Sequence, residues 1–124
     1  MAETKSGKVM VVDDDADMRC VLTEILTMEG LEASEAKDGE EALNLLAHAP
    51  PDLILLDEQM PKMDGTRFLQ RVAQHPRWKV IPVIMISATA GALLPGAVAL
   101  LRKPFELDAL VATVRRVLKL RVVT

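Results

Sequence analysis

The chain has 124 residues, 50% of them hydrophobic and 27% charged, which indicates one globular domain with a substantial core and excludes a disordered chain. A net charge of −3, with one Trp, two Phe and no Tyr, argues against the basic, ring-rich surfaces that bind nucleic acids, so we expect no direct nucleic-acid contact. The single cysteine, Cys20, excludes an internal disulfide, and no apolar run is long enough for a membrane span, so we expect a cytoplasmic protein without membrane contact.

The first half of the sequence alternates short apolar runs with amphipathic segments. Lys8–Val12 predicts a strand, and Asp17–Met28 predicts a helix because its apolar residues recur at helical spacing, with Asp15 as the predicted cap. Leu31–Ala36 alternates apolar and polar residues, which is typical of a strand at the edge of a sheet. The segment from Glu40 to about Ala49 predicts a second helix, opened by acidic residues that complement its dipole.

The strongest strand prediction comes from four consecutive apolar residues, Leu53–Leu56, which run directly into Asp57. A run without polar alternation is typical of a strand that is covered on both faces. Because Pro61 cannot continue a ladder of hydrogen bonds, the strand should end near Asp57 and leave that carboxylate at its carboxyl end. A helix over Thr66–Gln74 and an apolar strand over Ile81–Ser87 follow.

The connection after this strand is unusually short. Only Ala88–Gly96 separate Ser87 from the next predicted strand, Ala97–Leu101, and the two glycines and the proline of this segment disfavour a helix. We therefore predict that the helix between the fourth and fifth strands is short or missing. A last amphipathic helix is predicted over Glu106–Arg121.

These elements predict an α/β fold, with a five-stranded parallel sheet in the flavodoxin-like order 2-1-3-4-5 and helices on both faces, in one domain over residues 1–124. Four of the five predicted strands end in polar or charged residues, and parallel strands bring their carboxyl ends to one edge of the sheet. The residues concerned are Asp13, Asp14, Asp57, Ser87 and Lys103. With the first and third strands as neighbours, the three aspartates should converge.

Three converging carboxylates repel one another unless a cation lies between them. Mg²⁺ prefers oxygen ligands, so we expect magnesium to be bound by Asp13, Asp14 and Asp57. Lys103 is a charge suited to phosphate, and Ser87 supplies a hydroxyl donor. This set of residues is typical of phosphoryl transfer. Since the sequence has no glycine-rich phosphate loop, the expected acceptor is a carboxylate.

The order of the motifs is similar to that of a known family. Val11–Asp14, Leu55–Asp57, Met60–Gly65, Ser87–Ala88 and Lys103–Phe105 together resemble a bacterial response-regulator receiver domain of the two-component and chemotaxis type. The resemblance covers essentially the whole chain. Each motif alone is weak, and the ordered set is specific.

The resemblance implies a phosphoacceptor role for Asp57, which would take a phosphoryl group from the phosphohistidine of a histidine kinase or phosphotransfer protein. The domain would catalyse its own phosphorylation and dephosphorylation. Lys103 would contact one phosphoryl oxygen, and Ser87 would move to donate a hydrogen bond to another. The peptide bond between Lys103 and Pro104 would be cis.

The resemblance also implies the ligands of the metal. Asp13, Asp14 and Asp57 would bind Mg²⁺, with Asp14 the more direct ligand of the first two, and the main-chain carbonyl of Gln59 would complete the protein ligands. Glu58 and Gln59, which follow the phosphoacceptor, should influence the lifetime of the phosphoryl group through access of water.

Two features depart from the family pattern. Leu100 occupies the position, three residues before Lys103, where the family carries an aromatic switch residue, so we expect switching to run through Ser87 and main-chain shifts. The shortened segment also alters the surface on which many receivers bind partners. Its apolar residues would bind an unknown downstream protein or a second copy of the chain, or else pack inward. They are Ala92, Leu93, Leu94, Val98 and Leu100.

Two other functions remain open. The first is a receiver-like scaffold that binds proteins without phosphorylation, which the complete acidic set disfavours. The second is a Mg²⁺-dependent hydrolase of the haloacid-dehalogenase type, whose nucleophile would lie on the first strand and would leave Asp57 unexplained. The sequence is compatible with a receiver that acts alone and with one domain of a longer protein.

Overall fold

A single parallel sheet of five strands forms the centre of the fold. The computed structural model describes residues 7–58, 65–88 and 93–123, with side chains described as far as residue 119. The strands are β1 (Lys8–Val12), β2 (Glu32–Ala36), β3 (Leu53–Asp57), β4 (Val83–Ser87) and β5 (Ala99–Arg102). Their order is β2-β1-β3-β4-β5, and every neighbouring pair is parallel. The predicted strand order is confirmed.

Helices cover both faces of this sheet. Within the described residues the α-helices are α1 (Ala16–Met28), α2 (Gly39–His48), α3 (Gly65–Gln74) and α4 (Leu107–Val123). A short 3-10 helix, Trp78–Val80, precedes β4 and was not expected from the sequence. Over the described part of the chain, no helix combines the length and the apolar character that a bilayer crossing requires.

Two helices begin at aspartate caps. The side chain of Asp15 accepts hydrogen bonds from the main-chain nitrogens of Asp17 and Met18 at the start of α1. The side chain of Asp38 accepts one from Glu41 at the start of α2. These bonds satisfy amide groups that have no partner within the helix. The predicted cap at Asp15 is confirmed, which separates its role from those of the two aspartates before it.

Alternate residues of the strands form two cores, one on each face of the sheet. In β1, Val9 and Val11 pack with α1 and α4, whereas Met10 and Val12 pack with α2 and α3. Strand β3 is buried along its whole length. Full burial of an aliphatic side chain such as Leu56 contributes about 1.5–3 kcal/mol to stability. The two cores therefore fix the central strands, and with them the positions of the residues at their carboxyl ends.

The described residues between β4 and β5, which are 88 and 93–98, contain no α-helix. The predicted loss of this helix is confirmed for these residues. Strand β5 begins at Ala99 and not at the predicted Ala97, because the main-chain nitrogen of Ala97 closes a turn onto the carbonyl of Leu94 (3.1 Å). The nitrogen of Val98 then donates to the carbonyl of Val83 (2.8 Å). The other predicted bounds agree with the observed ones or differ from them by one or two residues.

Candidate functional site

The carboxyl end of β1 carries one buried and one exposed aspartate. Asp13 is 1% exposed, and its main-chain nitrogen donates to the carbonyl of Ala36 at the end of β2 (3.1 Å). Oδ1 of Asp13 accepts a hydrogen bond from the main-chain nitrogen of Asp15 (2.9 Å), whereas its buried Oδ2 has no hydrogen-bond partner among the described residues. Asp14 is exposed. An unsatisfied buried oxygen is unusual, and it points to a ligand that is not part of the protein.

Asp57 joins these aspartates from the end of β3. The register pairs Val12 with Leu56, so the residues that follow them lie side by side. One carboxylate oxygen from each of Asp13, Asp14 and Asp57 lies within 4.8 Å of the other two, and Asp57 is 8% exposed. The structure therefore brings the three carboxylates together at one edge of the sheet.

This donor set fits Mg²⁺. All the available ligand atoms are carboxylate oxygens, which hard divalent cations prefer. Carboxylates at this separation repel one another, so a cation between them would relieve that repulsion. The buried Oδ2 of Asp13, which has no partner among the described residues, is available as a ligand atom. Gln59, whose main-chain carbonyl is the remaining expected ligand, lies outside the described residues.

Ser87, at the end of β4, and Lys103, directly after β5, lie next to these aspartates. Nζ of Lys103 lies 3.8 Å from Oδ1 of Asp57. The main-chain nitrogen of Lys103 donates to the carbonyl of Ser87 (2.8 Å), and the peptide bond between Lys103 and Pro104 is cis, as the resemblance implied. Ser87 is 2% exposed, and its Oγ donates a hydrogen bond to Oε1 of Glu58. Lys103 thus contacts Asp57 directly, while the hydroxyl of Ser87 is bonded to the residue next to it.

The family model for the response regulator receiver domain matches residues 9–115 of the chain. The chain belongs to this family. The receiver is 40% identical over 117 residues to the DNA-binding transcriptional regulator NtrC of Escherichia coli, and 36% identical over 124 residues to the Regulatory protein AtoC of the same species. The resemblance stated from the motifs is confirmed.

The relatives differ from the receiver in length. The alignments cover 89% and 95% of the receiver but only 24% of NtrC and 26% of AtoC, so the chain spans about a quarter of each. The solved structure of the chemotaxis response regulator CheY4 of Vibrio cholerae matches with a TM-score of 0.84 at 32% identity. That match covers 91% of the receiver and 99% of the CheY4 chain. In all three proteins the matched region has about the length of one receiver domain.

Three hydrogen bonds at the acidic edge were not expected from the sequence. Nη1 of Arg19 donates to the main-chain carbonyl of Asp13 (2.7 Å), and its Nε donates to Oε1 of Glu35 on β2 (3.1 Å). Arg19 lies one turn into α1, where a side chain points back over the start of the helix, and this position is a signal that could have identified it. The bond between Ser87 and Glu58 had no such signal, since the residues are 29 positions apart.

The surface around β5 contains both outward and inward apolar residues. Leu93 and Val98 are 45% and 54% exposed. Leu94 is partly buried against the core formed with α2 and α3, and Leu100 is half-buried in β5. Ala92 lies outside the described residues. The two expectations for this segment, a partner surface and inward packing, thus apply to different residues of it.

Proposed function

We propose that this receiver domain is a phosphorylation switch, in which Asp57 accepts a phosphoryl group from the phosphohistidine of a histidine kinase or a phosphotransfer protein. The observation that carries the proposal is the position of Asp57. Its carboxylate lies within 4.8 Å of oxygen atoms of Asp13 and Asp14 and 3.8 Å from Nζ of Lys103. Two further carboxylates that suit a cation, together with a nearby lysine, fit an acceptor that gains negative charge.

In the transfer step, a carboxylate oxygen of Asp57 forms a bond to phosphorus while the bond from phosphorus to the histidine nitrogen breaks. The imidazole of the partner leaves with the electron pair, and Asp57 becomes an acyl phosphate. Lys103 is close enough to pair with a phosphoryl oxygen. The hydroxyl of Ser87 donates a hydrogen bond to another. The same groups serve the dephosphorylation that the domain catalyses on itself.

The proposal includes Mg²⁺ bound by Asp13, Asp14 and Asp57 and by the main-chain carbonyl of Gln59. The unsatisfied buried oxygen of Asp13 supports this assignment, as does the approach of the three carboxylates. When bound, Mg²⁺ supplies positive charge that offsets the charge of the carboxylates and of the phosphoryl oxygens. Asp14 is exposed and lies at the side of the site that solvent reaches.

The output of the switch is binding of a downstream protein, in the cytoplasm. We propose that the change at Asp57 reaches the partner surface through Ser87 and the main chain of β4 and β5. Leu100 has neither an aromatic ring nor a hydroxyl group that could transmit the conformational change to that surface. The exposed Leu93 and Val98 lie on the surface next to β5 and supply apolar contact area for a partner.

Incubation with acetyl phosphate and Mg²⁺ tests the proposal on a phosphate-affinity gel. We expect a slower-migrating phosphorylated band for the wild type and none for Asp57→Asn. Asp52→Asn is the matched control, because Asp52 lies just before β3 at the opposite edge, where its Oδ2 accepts from the main-chain nitrogen of Lys8 (2.9 Å). This variant should be phosphorylated like the wild type.

Two other results would contradict the proposal. Absence of the band in the wild type would favour the scaffold that works without phosphorylation. A band that survives Asp57→Asn but is lost in Asp13→Asn would favour the hydrolase class, with its nucleophile on the first strand.

A further inference from the structure

The hydroxyl of Ser87 already has a partner within the protein. Its Oγ donates to Oε1 of Glu58, the residue directly after the phosphoacceptor Asp57. Ser87 is 2% exposed, so water competes little for this bond. A hydroxyl group has one proton to donate. The proton that Ser87 gives to Glu58 therefore cannot be given at the same time to a phosphoryl oxygen on Asp57.

The main chain around this bond is tied on several sides. The nitrogen of Glu58 donates to the carbonyl of Ile86 (3.0 Å), and the carbonyl of Glu58 accepts from the nitrogen of Gly65 (3.1 Å). A Cβ atom at Gly65 would lie 3.1 Å from that carbonyl oxygen, so the two segments are in close contact. The carbonyl of Ser87 accepts from Lys103. A change of rotamer in the side chain of Ser87 or Glu58 thus breaks the bond without movement of the main chain.

We propose that Glu58 is a positioning residue that holds the hydroxyl of Ser87 in the unphosphorylated domain and competes with the phosphoryl group for it. The inference rests on the proposed function, because it assigns a regulatory role within that site. A hydrogen bond from a hydroxyl to a carboxylate is stronger than one to a neutral acceptor. Ser87 can bind the phosphoryl group only after its bond to Glu58 breaks. Glu58 therefore shifts the conformational equilibrium toward the unphosphorylated arrangement.

Beryllofluoride, which forms a phosphoryl-like adduct with aspartate in the presence of Mg²⁺, is the probe for this competition. Its affinity is measured by titration with fluorine NMR, where the bound adduct gives its own resonances. We expect Glu58→Gln to bind roughly tenfold more tightly than the wild type, because a neutral acceptor holds Ser87 less strongly. Glu58→Ala removes the acceptor and should tighten binding at least as much. Circular dichroism checks that each variant is folded.

A double-mutant cycle separates the competition from a simple effect of charge. In a Ser87→Ala background there is no hydroxyl to release, so Glu58→Gln should change the affinity by less than about twofold. Glu106→Gln is the matched control for charge, since Glu106 is exposed and follows β5 at the same edge of the sheet. This variant should bind beryllofluoride like the wild type.

Three outcomes would contradict the proposal. If Glu58→Gln tightened beryllofluoride binding equally with and without Ser87, or if Glu106→Gln also tightened it, the charge would act directly on the ligand, and competition for Ser87 would be overturned. Binding to the wild type with an unchanged affinity in Glu58→Gln and Glu58→Ala would also overturn it, while leaving the proposed function intact. No adduct in any variant would overturn the proposed function, and the competition with it.

Discussion

The carboxyl edge of the sheet has two halves of different construction. In the β1–β3 half, the strand residues that lead to Asp13 and Asp57 are buried and packed on both faces. In the β4–β5 half, β5 is the edge strand, and only Leu101 among its residues is buried. The described residues between β4 and β5 contain no helix, and Leu93 and Val98 among them are exposed.

The difference shows that the position of a side chain at the proposed site need not depend on the length of the connection before it. Lys103 follows the exposed edge strand, yet its main-chain nitrogen is bonded to the carbonyl of Ser87 at the end of the buried β4 (2.8 Å). The hydrogen bonds between β4 and the chain at β5 thus fix the position of the Lys103 main chain. A shortened connection can change the outer surface while the distance from Lys103 to Asp57 is kept.

Amide hydrogen exchange should give the largest contrast between the halves. The nitrogens of Leu93, Leu94 and Gly96 donate no hydrogen bond to a described residue, whereas those of Val11 and Leu55 lie in the central ladders. We expect the first group to exchange at least about 10³-fold faster, because exchange from central strands requires opening of the core. Slow exchange throughout 93–98 would indicate a stable helical turn there and would remove the contrast.

Asp13→Asn should reverse the ranking of stabilities with and without Mg²⁺. Without metal, the variant removes one of three neighbouring negative charges, one that is buried, so its free energy of unfolding should rise by about 1 kcal/mol. At a Mg²⁺ concentration ten times the dissociation constant, the wild type should gain about 1.4 kcal/mol, and the variant should gain little because it has lost a ligand. Urea unfolding in EDTA and in Mg²⁺ measures both quantities.

Asp17→Asn is the control for this reversal. Asp17 is exposed in the first turn of α1 and carries the same charge, but it lies outside the carboxylate cluster. Its loss should cost no more than about 0.5 kcal/mol through the helix dipole and should leave the gain from Mg²⁺ unchanged. If Asp13→Asn instead lowered the stability in EDTA and kept the full gain, Asp13 would not be a ligand.

The strands and their ends could be predicted because local pattern and tertiary structure agree there. The apolar run Leu53–Leu56 is buried on both faces, and Asp57 ends the strand as predicted. The convergence of Asp13 with Asp57 followed from a single further step, the parallel order of the strands. The absence of an α-helix from the described residues 93–98 was also predictable, since glycine and proline in a segment too short for a crossover disfavour a full helix.

The contacts that tune the site could not be predicted in the same way. Ser87 ends β4 and Glu58 follows β3, and their bond depends on the rotamers of both side chains. The 3-10 helix Trp78–Val80 was missed because its residues show no periodicity, and part of its support comes from His75, whose Nδ1 accepts from the nitrogen of Trp78 (3.3 Å). Such contacts depend on where the chain returns in space, which the periodicity of a sequence does not encode.

Substitution of Arg19 should have the smallest effect on the β1–β3 half among these variants. Arg19→Met removes the bond to the carbonyl of Asp13 (2.7 Å) and the ion pair with Glu35 (3.1 Å) while keeping much of the volume. Because that carbonyl belongs to the segment that carries the proposed ligands, we expect Mg²⁺ affinity in isothermal titration to fall by roughly tenfold at most.

The chain contains a matched arginine for this experiment. Arg115 on α4 also binds one main-chain carbonyl and one carboxylate, both of Glu29 (2.9 and 2.8 Å), at a place that holds no proposed ligand. Arg115→Met should therefore leave Mg²⁺ affinity within about twofold of the wild type. Equal affinities in both variants would mean that Asp13 is positioned by its bonds to Ala36 and Asp15 alone, and that the β1–β3 half needs no support from α1.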